Sequence, residues 1–236
     1  MTLFSPVVSV DWLAQMLGRS DLVVLDASMA PPGQPTYSPD GIIPSAQRFD
    51  FDKQVCDQCS DLPHMMPSAE QFTQAAQALG INQDSTIVVY DHIGLFASPR
   101  AWWMLRSMGH KNVYVLDGGL PAWRAAGQEL IGDYSPAVRA GDFAADYQPG
   151  AIVSAGQVLA AINQGAPTIW DARPTGRFTG TMPEPRPGLR SGHMPGAVSL
   201  PFSVVQNQGQ LLPVDSLKAL LGQSRPIICS CGSGVT

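Results

Sequence analysis

The same alternation of helix and strand signals runs through the chain twice. Ser9 stands ahead of Trp12, Leu13, Met16 and Leu17 at helical spacing, Gly18 stops that run, and Leu22 to Leu25 form a short apolar strand ending in Asp26. Ser68 and Gln71 make a capping-box pair before Phe72, Ala75, Ala76 and Leu79, and after Gly80 comes the β-branched run Thr86 to Tyr90. Pro99 opens a further helix through Trp102, Trp103 and Leu105, followed by strand Val113 to Leu116 and a short helix around Trp123. The cycle then restarts. Ser154 and Gln157 cap a helix with Val158, Leu159 and Ile162, and Thr168-Ile169-Trp170 runs into Asp171-Ala172 as Leu25 runs into Asp26-Ala27. Later, Leu217, Leu220 and Leu221 precede Gly222 and the strand Ile227-Ile228-Cys229. Asp26 to Asp171 is a step of 145 residues and Asp91 to Cys231 a step of 140, so the spacing points to a duplication.

Helices alternating with apolar strands imply α/β architecture: in each copy a mostly parallel sheet flanked by helices. The expected division is a first domain over 1–130, a Pro/Gly/Asp-rich linker over 131–150 and a second domain over 151–236. The second copy has no counterpart of the segment that follows Asp91 in the first. It is expected to be truncated at its C-terminus, the natural protein continuing with a core helix and an edge of the sheet.

With 236 residues, 44% of them apolar and 14% charged, the chain is able to bury real cores. A formal charge of −5, with lysine only at 53, 111 and 218, argues against nucleic acid as a partner. No apolar run approaches the roughly 20 residues that span a bilayer, and no basic segment precedes a short apolar one at the N-terminus, so the expected compartment is the cytoplasm. Four cysteines are then expected to be reduced. Cys56-x-x-Cys59 has a zinc-knuckle spacing, but the single residue inside Cys229-x-Cys231 fits tetrahedral chelation poorly, and no metal is expected. Cys56 and Cys59 read as loop residues, and Cys229 as a core side chain.

Cys231 is different. It follows an apolar strand and opens Cys231-Gly232-Ser233-Gly234-Val235-Thr236, which puts its thiol at the carboxyl end of a strand, where open α/β sheets place their ligands. Two glycines let successive N–H groups turn inward as an anion nest, and a thiolate is such an anion. The alternative is a small core residue ahead of a glycine-rich turn. Arg173, Arg177, Arg186 and Arg190 gather in one Pro-rich stretch whose acids are Asp171 and Glu184, and paired guanidinium N–H groups suit a planar carboxylate.

The loop CGSGVT resembles that of 3-mercaptopyruvate sulfurtransferases in the tandem-domain rhodanese family. The likeness extends through Asp171-Ala172-Arg173, Gly176-Arg177-Phe178, Pro183-Glu184-Pro185-Arg186, Gly192-His193-Met194-Pro195-Gly196-Ala197 and Leu116-Asp117-Gly118-Gly119. The resemblance implies two rhodanese-like domains, the active loop in the second, and no cofactor. It makes Cys231 the nucleophile that carries sulfur as a persulfide. Arg177 and Arg186 become the substrate-binding pair, and Gly232, Gly234, Val235 and Thr236 supply the loop around the substrate. Ser233 is implied to work with His64 and Asp52 of the first domain in proton transfer. Arg173 is expected to pair with a carboxylate or a backbone group near the sheet end, and His193 to be structural. Ile42 stands where the first copy would repeat that histidine, and Asp91 where it would repeat the cysteine, so the first domain reads as non-catalytic.

The implied donor is 3-mercaptopyruvate and the implied acceptor cyanide, a thiol or a thioredoxin-like protein. Thiosulfate as donor is the nearest alternative, disfavoured by the neutral loop. A phosphatase would need Cys-x5-Arg, with the arginine directly after Thr236, and a non-catalytic binding module usually lacks the cysteine.

Overall fold

The computed structural model of the chain describes residues 5–30, 37–222 and 226–236. It divides into two compact units, Met1–Pro149 with Gln208–Gln210, and Gly150–Asn207 with Leu211–Thr236.

The first unit runs β1 (Val7–Val8), α1 (Val10–Met16), β2 (Leu22–Asp26), β3 (Gln47–Arg48), α2 (Ala69–Ala78), β4 (Thr86–Tyr90), α3 (Ser98–Ser107), β5 (Val113–Leu116) and α4 (Gly119–Ala125). Its five strands are parallel, in the order β1-β5-β4-β2-β3. The expected caps form: the Ser9 hydroxyl accepts from Trp12 N at 3.2 Å, and Ser68 and Gln71 exchange both bonds of a capping box. Every residue of β5 and all but the first of β2 and β4 are buried, because helices cover both faces of a parallel sheet. Leu13, Val24, Ile42, Ile43, Val88 and Trp123 belong to one core cluster on this sheet.

The stretch read as a linker lies on the first unit instead. Ile131 bridges Ile42, the Tyr134 hydroxyl donates to Asp26 Oδ2 at 3.0 Å, and Asp146 N and Gln148 N donate to Met108 O and Ser107 O. Phe143 is fully buried against the rings of Phe72 and His110. A Pro/Gly/Asp-rich composition suggested a linker, but Ile131, Tyr134 and Phe143, spaced along it, pack on the first unit and fasten the strap.

The rest of the chain forms α5 (Ala155–Gln164), β6 (Thr168–Asp171), α6 (Thr175–Phe178), β7 (Val198–Ser199), the hairpin strands β8 (Gln206–Asn207) and β9 (Gln210–Leu211, whose Gln210 is counted with the first unit), α7 (Val214–Leu221) and β10 (Ile227–Ser230), which make up the second unit. Its parallel sheet has the order β10-β6-β7, the same as β4-β2-β3 in the first unit. The registers also correspond. Asp26 pairs with Tyr90 and Asp171 with Ser230, so Asp91 and Cys231 each directly follow the residue opposite the strand-end aspartate.

The second unit is packed more thinly than the first. Among its described residues, Ala161, Ile169 and Val235 are the buried apolar side chains, whereas Leu159, Val214 and Leu220 are exposed. Cys229, expected in the core, is exposed as well. It lies on β10, which pairs with β6 among the described residues. Among the described residues no helix is long and apolar enough to cross a membrane.

Candidate active site

β10 delivers Cys231 to the carboxyl end of the second sheet, and the loop after it turns back on the sulfur. Gly234 N donates to Cys231 Sγ at 3.1 Å. Gly234 has φ +76°, the left-handed region that lets the loop close at little steric cost, and Val235, 6% exposed, pins the far side of the turn. Burial pushes the Cys231 thiol up. The N–H groups of Ser233, Thr236 and Val235 and the Thr236 hydroxyl more than offset it, and the net result is a thiol below its ordinary value. The loop is therefore a nest for a sulfur anion.

Two arginines converge on Gly232. Arg186 Nη2 donates to its carbonyl at 2.6 Å, and Arg177 Nη2 lies 2.7 Å from where a Cβ at that position would stand. A side chain at residue 232 would have to displace the guanidinium, which explains the glycine.

Arg177 is held from behind by Glu184, which accepts from Nε at 3.1 Å and closely from Nη2. Glu184 Oε1 also accepts from Arg173 Nη1 at 2.8 Å. Arg173 in turn grips Asp171 at the end of β6, with Nε to Oδ1 at 2.9 Å and Nη2 to Oδ2 at 2.6 Å, and donates to Gly192 O. This matches its expected structural pairing. Asp171 is 1% exposed, and burial alone would raise its carboxyl, but the hydrogen bonds from Arg173 bring it below the usual range. Glu184 is lowered too, first by its hydrogen bond to Arg177.

The His193 ring stacks on Phe178 with centroids 3.8 Å apart, and Nδ1 is 2.8 Å from Phe178 O. It ties the Gly192 turn to α6.

In the first unit Asp52 and His64 meet, with His64 Nε2 2.8 Å from Asp52 Oδ1. The His64 side chain is 8% exposed and its ring sits edge-on to Phe51. Its backbone has φ +58°, uncommon for a residue with a Cβ, and its carbonyl accepts from Arg100 Nη2. A carboxylate on one imidazole nitrogen fixes the ring's orientation and favours one tautomer. The sequence places this pair only through the family resemblance; Arg100 and the left-handed backbone carry no sequence signal.

The site residues thus fall into two groups, one in each unit. Cys231 to Thr236 share a loop with Arg177 and Arg186, and Asp52 pairs with His64. Sequence reasoning missed Glu184 as the link between Arg173 and Arg177, although its place between Pro183 and Pro185 amid four arginines was a usable signal. It missed the Thr236 hydroxyl as well.

At the equivalent place in the first unit, the loop closes around an acid. Asp91 is fully buried, and its carboxylate accepts from the N–H groups of Ile93, Gly94, Phe96, Ala97 and Ser98 and from the Ser98 hydroxyl, all at 2.7 to 3.0 Å. The donors that would hold a foreign anion are already engaged by the chain's own carboxylate.

The rhodanese-like domain profile matches residues 9–126. The 3-mercaptopyruvate sulfurtransferase of Escherichia coli K12 is 41% identical, over 97% of this chain and 84% of that protein. The mitochondrial thiosulfate/3-mercaptopyruvate sulfurtransferase 1 of Arabidopsis thaliana is 38% identical, over 98% of this chain and 69% of that one. The crystal structure of SseA from Escherichia coli superposes with a TM-score of 0.86 at 38% identity, covering 98% of this chain and 90% of the other. With the parallel sheets, the strand-end cysteine loop and similarity of this extent, the chain belongs to the rhodanese family of sulfurtransferases.

Proposed function

We propose that the chain transfers sulfur from 3-mercaptopyruvate through a persulfide on Cys231. The observation that carries this reading is the lowered Cys231 thiol inside a ring of N–H donors, with Arg177 and Arg186 converging on the same loop. The thiolate attacks the substrate sulfur, a sulfur-sulfur bond forms, and the carbon-sulfur bond breaks. Its electron pair leaves on carbon as pyruvate enolate, which takes a proton to become pyruvate, and Cys231 keeps the terminal S–H. Cyanide, a small thiol or a thioredoxin-like protein then attacks the outer sulfur and releases the Cys231 thiolate.

Arg177 and Arg186 are assigned to the carboxylate and carbonyl of the donor, which aligns sulfur with sulfur. The N–H groups at Gly232, Gly234, Val235 and Thr236 are assigned to anionic intermediates. Ser233, His64 and Asp52 are assigned to proton transfer, the His64–Asp52 bond being the orienting part of that relay. None of these steps requires a metal or an organic cofactor. The two units read as copies of one fold, only one of which keeps a working thiol. Reduced cysteines suit the cytoplasm.

Intact mass spectrometry after brief exposure to 3-mercaptopyruvate tests the reading. A gain of one sulfur in the wild type and none in Cys231→Ser is expected. No gain in the wild type, with the fold intact, overturns it. Thiosulfate belongs in the same experiment, since the Arabidopsis relative is named for both donors; a faster gain from thiosulfate would reverse the order of the two.

A further inference from the structure

We propose that Glu184 is a positioning residue for the substrate clamp: it aims Arg177 at the Cys231 loop and thereby sets affinity for a carboxylate-bearing sulfur donor. The inference rests on the assignment of Arg177 to the donor's carboxylate.

Glu184 is the middle rung of a ladder that begins on rigid structure. β6 ends at Asp171, a buried side chain, and Arg173 lies across that carboxylate with both Nε and Nη2. Arg173 spends its remaining nitrogen, Nη1, on Glu184 Oε1, and Glu184 answers by holding Nε and Nη2 of Arg177. The carboxylate is nearly covered, its side chain 4% exposed. Its backbone is flanked by Pro183 and Pro185, whose rings fix their own φ and restrict the residue between them. Little freedom is left at either end of the side chain.

A guanidinium offers two edges for paired hydrogen bonding, Nε with Nη2 and Nη1 with Nη2. Glu184 occupies the first. The second is thereby turned toward the cysteine loop, where Nη2 and Nη1 lie 2.7 and 3.5 Å from the Cβ that Gly232 lacks. Long flexible arginines normally lose side-chain entropy when they bind a ligand. Here Glu184 pays that loss in advance, during folding.

The proposal gives a sign opposite to that of simple electrostatics. Removing a negative charge beside a cation that binds an anion should, through charge alone, tighten anion binding. If Glu184 acts by aiming Arg177, its removal should weaken it. In Glu184→Gln the KM for 3-mercaptopyruvate is expected to rise roughly tenfold to a hundredfold, the span of one or two lost charge-assisted hydrogen bonds, with a smaller change in kcat. Loading of Cys231 by inorganic polysulfide, a donor with no carboxylate, should keep its wild-type rate.

In an Arg177→Lys background, where the planar fork is already gone, Glu184→Gln should add little further change in KM. Glu184→Asp, one methylene shorter but still charged, serves as the second variant should the glutamine not fold, and is expected to raise KM in the same direction. An unchanged or lower KM overturns the proposal. So does an equal loss of polysulfide loading, which would mark Glu184 as merely holding the loop together, and so does full additivity with Arg177→Lys. Absence of mercaptopyruvate loading in the wild type would instead defeat the assigned function, so the two failures are separable.

Discussion

At Cys231 burial and hydrogen bonding act against each other, and hydrogen bonding prevails. Desolvation favours the neutral thiol, but main-chain donors and one hydroxyl favour the anion more. The rate of alkylation by iodoacetamide, followed against pH, should therefore have its midpoint below the ordinary cysteine value of about 8.5. Thr236→Val removes the hydroxyl and should move that midpoint up. In Ser233→Ala turnover should fall if the hydroxyl relays a proton. The linkage has a definite sign. Between the folded and unfolded thiol values the unfolded chain binds more protons at this site, so the contribution to stability grows as pH rises through that window and is lost as pH falls through the folded value. A midpoint at or above the ordinary value, or no upward shift in Thr236→Val, would contradict this account of the loop.

The element that best shows how the two units differ is the loop from β4 into α3. Ala97, the N-cap residue of α3, supplies no side-chain cap, and the helix takes its cap from Asp91, whose carboxylate receives the N–H groups of Phe96, Ala97 and Ser98. Asp91→Ala should cost about 3 kcal/mol or more, since several buried donors are left without an acceptor, and Asp91→Asn should cost less because one oxygen remains. Urea midpoints of the two variants measure this, and equal midpoints to the wild type would remove Asp91 from its structural role. How far such features were legible in the sequence depends on the range of the contacts. Ser9, Ser68 and Ser154 announce their helices because cap and helix lie within four residues of each other. The strand ends at Asp26 and Asp171 and the loop at Cys231 were readable from the same local logic. Asp91 could be seen to replace a cysteine, but the six donors folded around it could not. Likewise nothing local tells that Phe143 reaches Phe72, that Glu184 joins Arg173 to Arg177, or that Cys229 is exposed.

Across the whole molecule the apolar burial is divided unequally, and this has a consequence for unfolding. The five-stranded unit contains nearly all of the fully buried side chains, including Trp123, Tyr90, Phe49, Phe72 and Phe143, while the second unit buries Ala161, Ile169 and Val235 among its described residues. Burial stabilises by about 25 cal/mol per Å2 of apolar surface, and ordering each residue costs about 1–2 kcal/mol in backbone entropy alone. The unit with less burial per ordered residue must sit nearer its threshold. In urea the second unit should accordingly unfold first, with Cys231 loading lost while most of the helical circular dichroism remains. The tryptophans make the order visible: Trp170 lies on β6, whereas Trp12, Trp102, Trp103 and Trp123 all belong to the first unit. An early fluorescence change that disappears in Trp170→Phe, followed by a larger late change that does not, is the expected pattern. A single transition coincident in fluorescence, circular dichroism and loading would instead mean that the thinner unit draws its stability from the thicker one and that the two fold as one cooperative body.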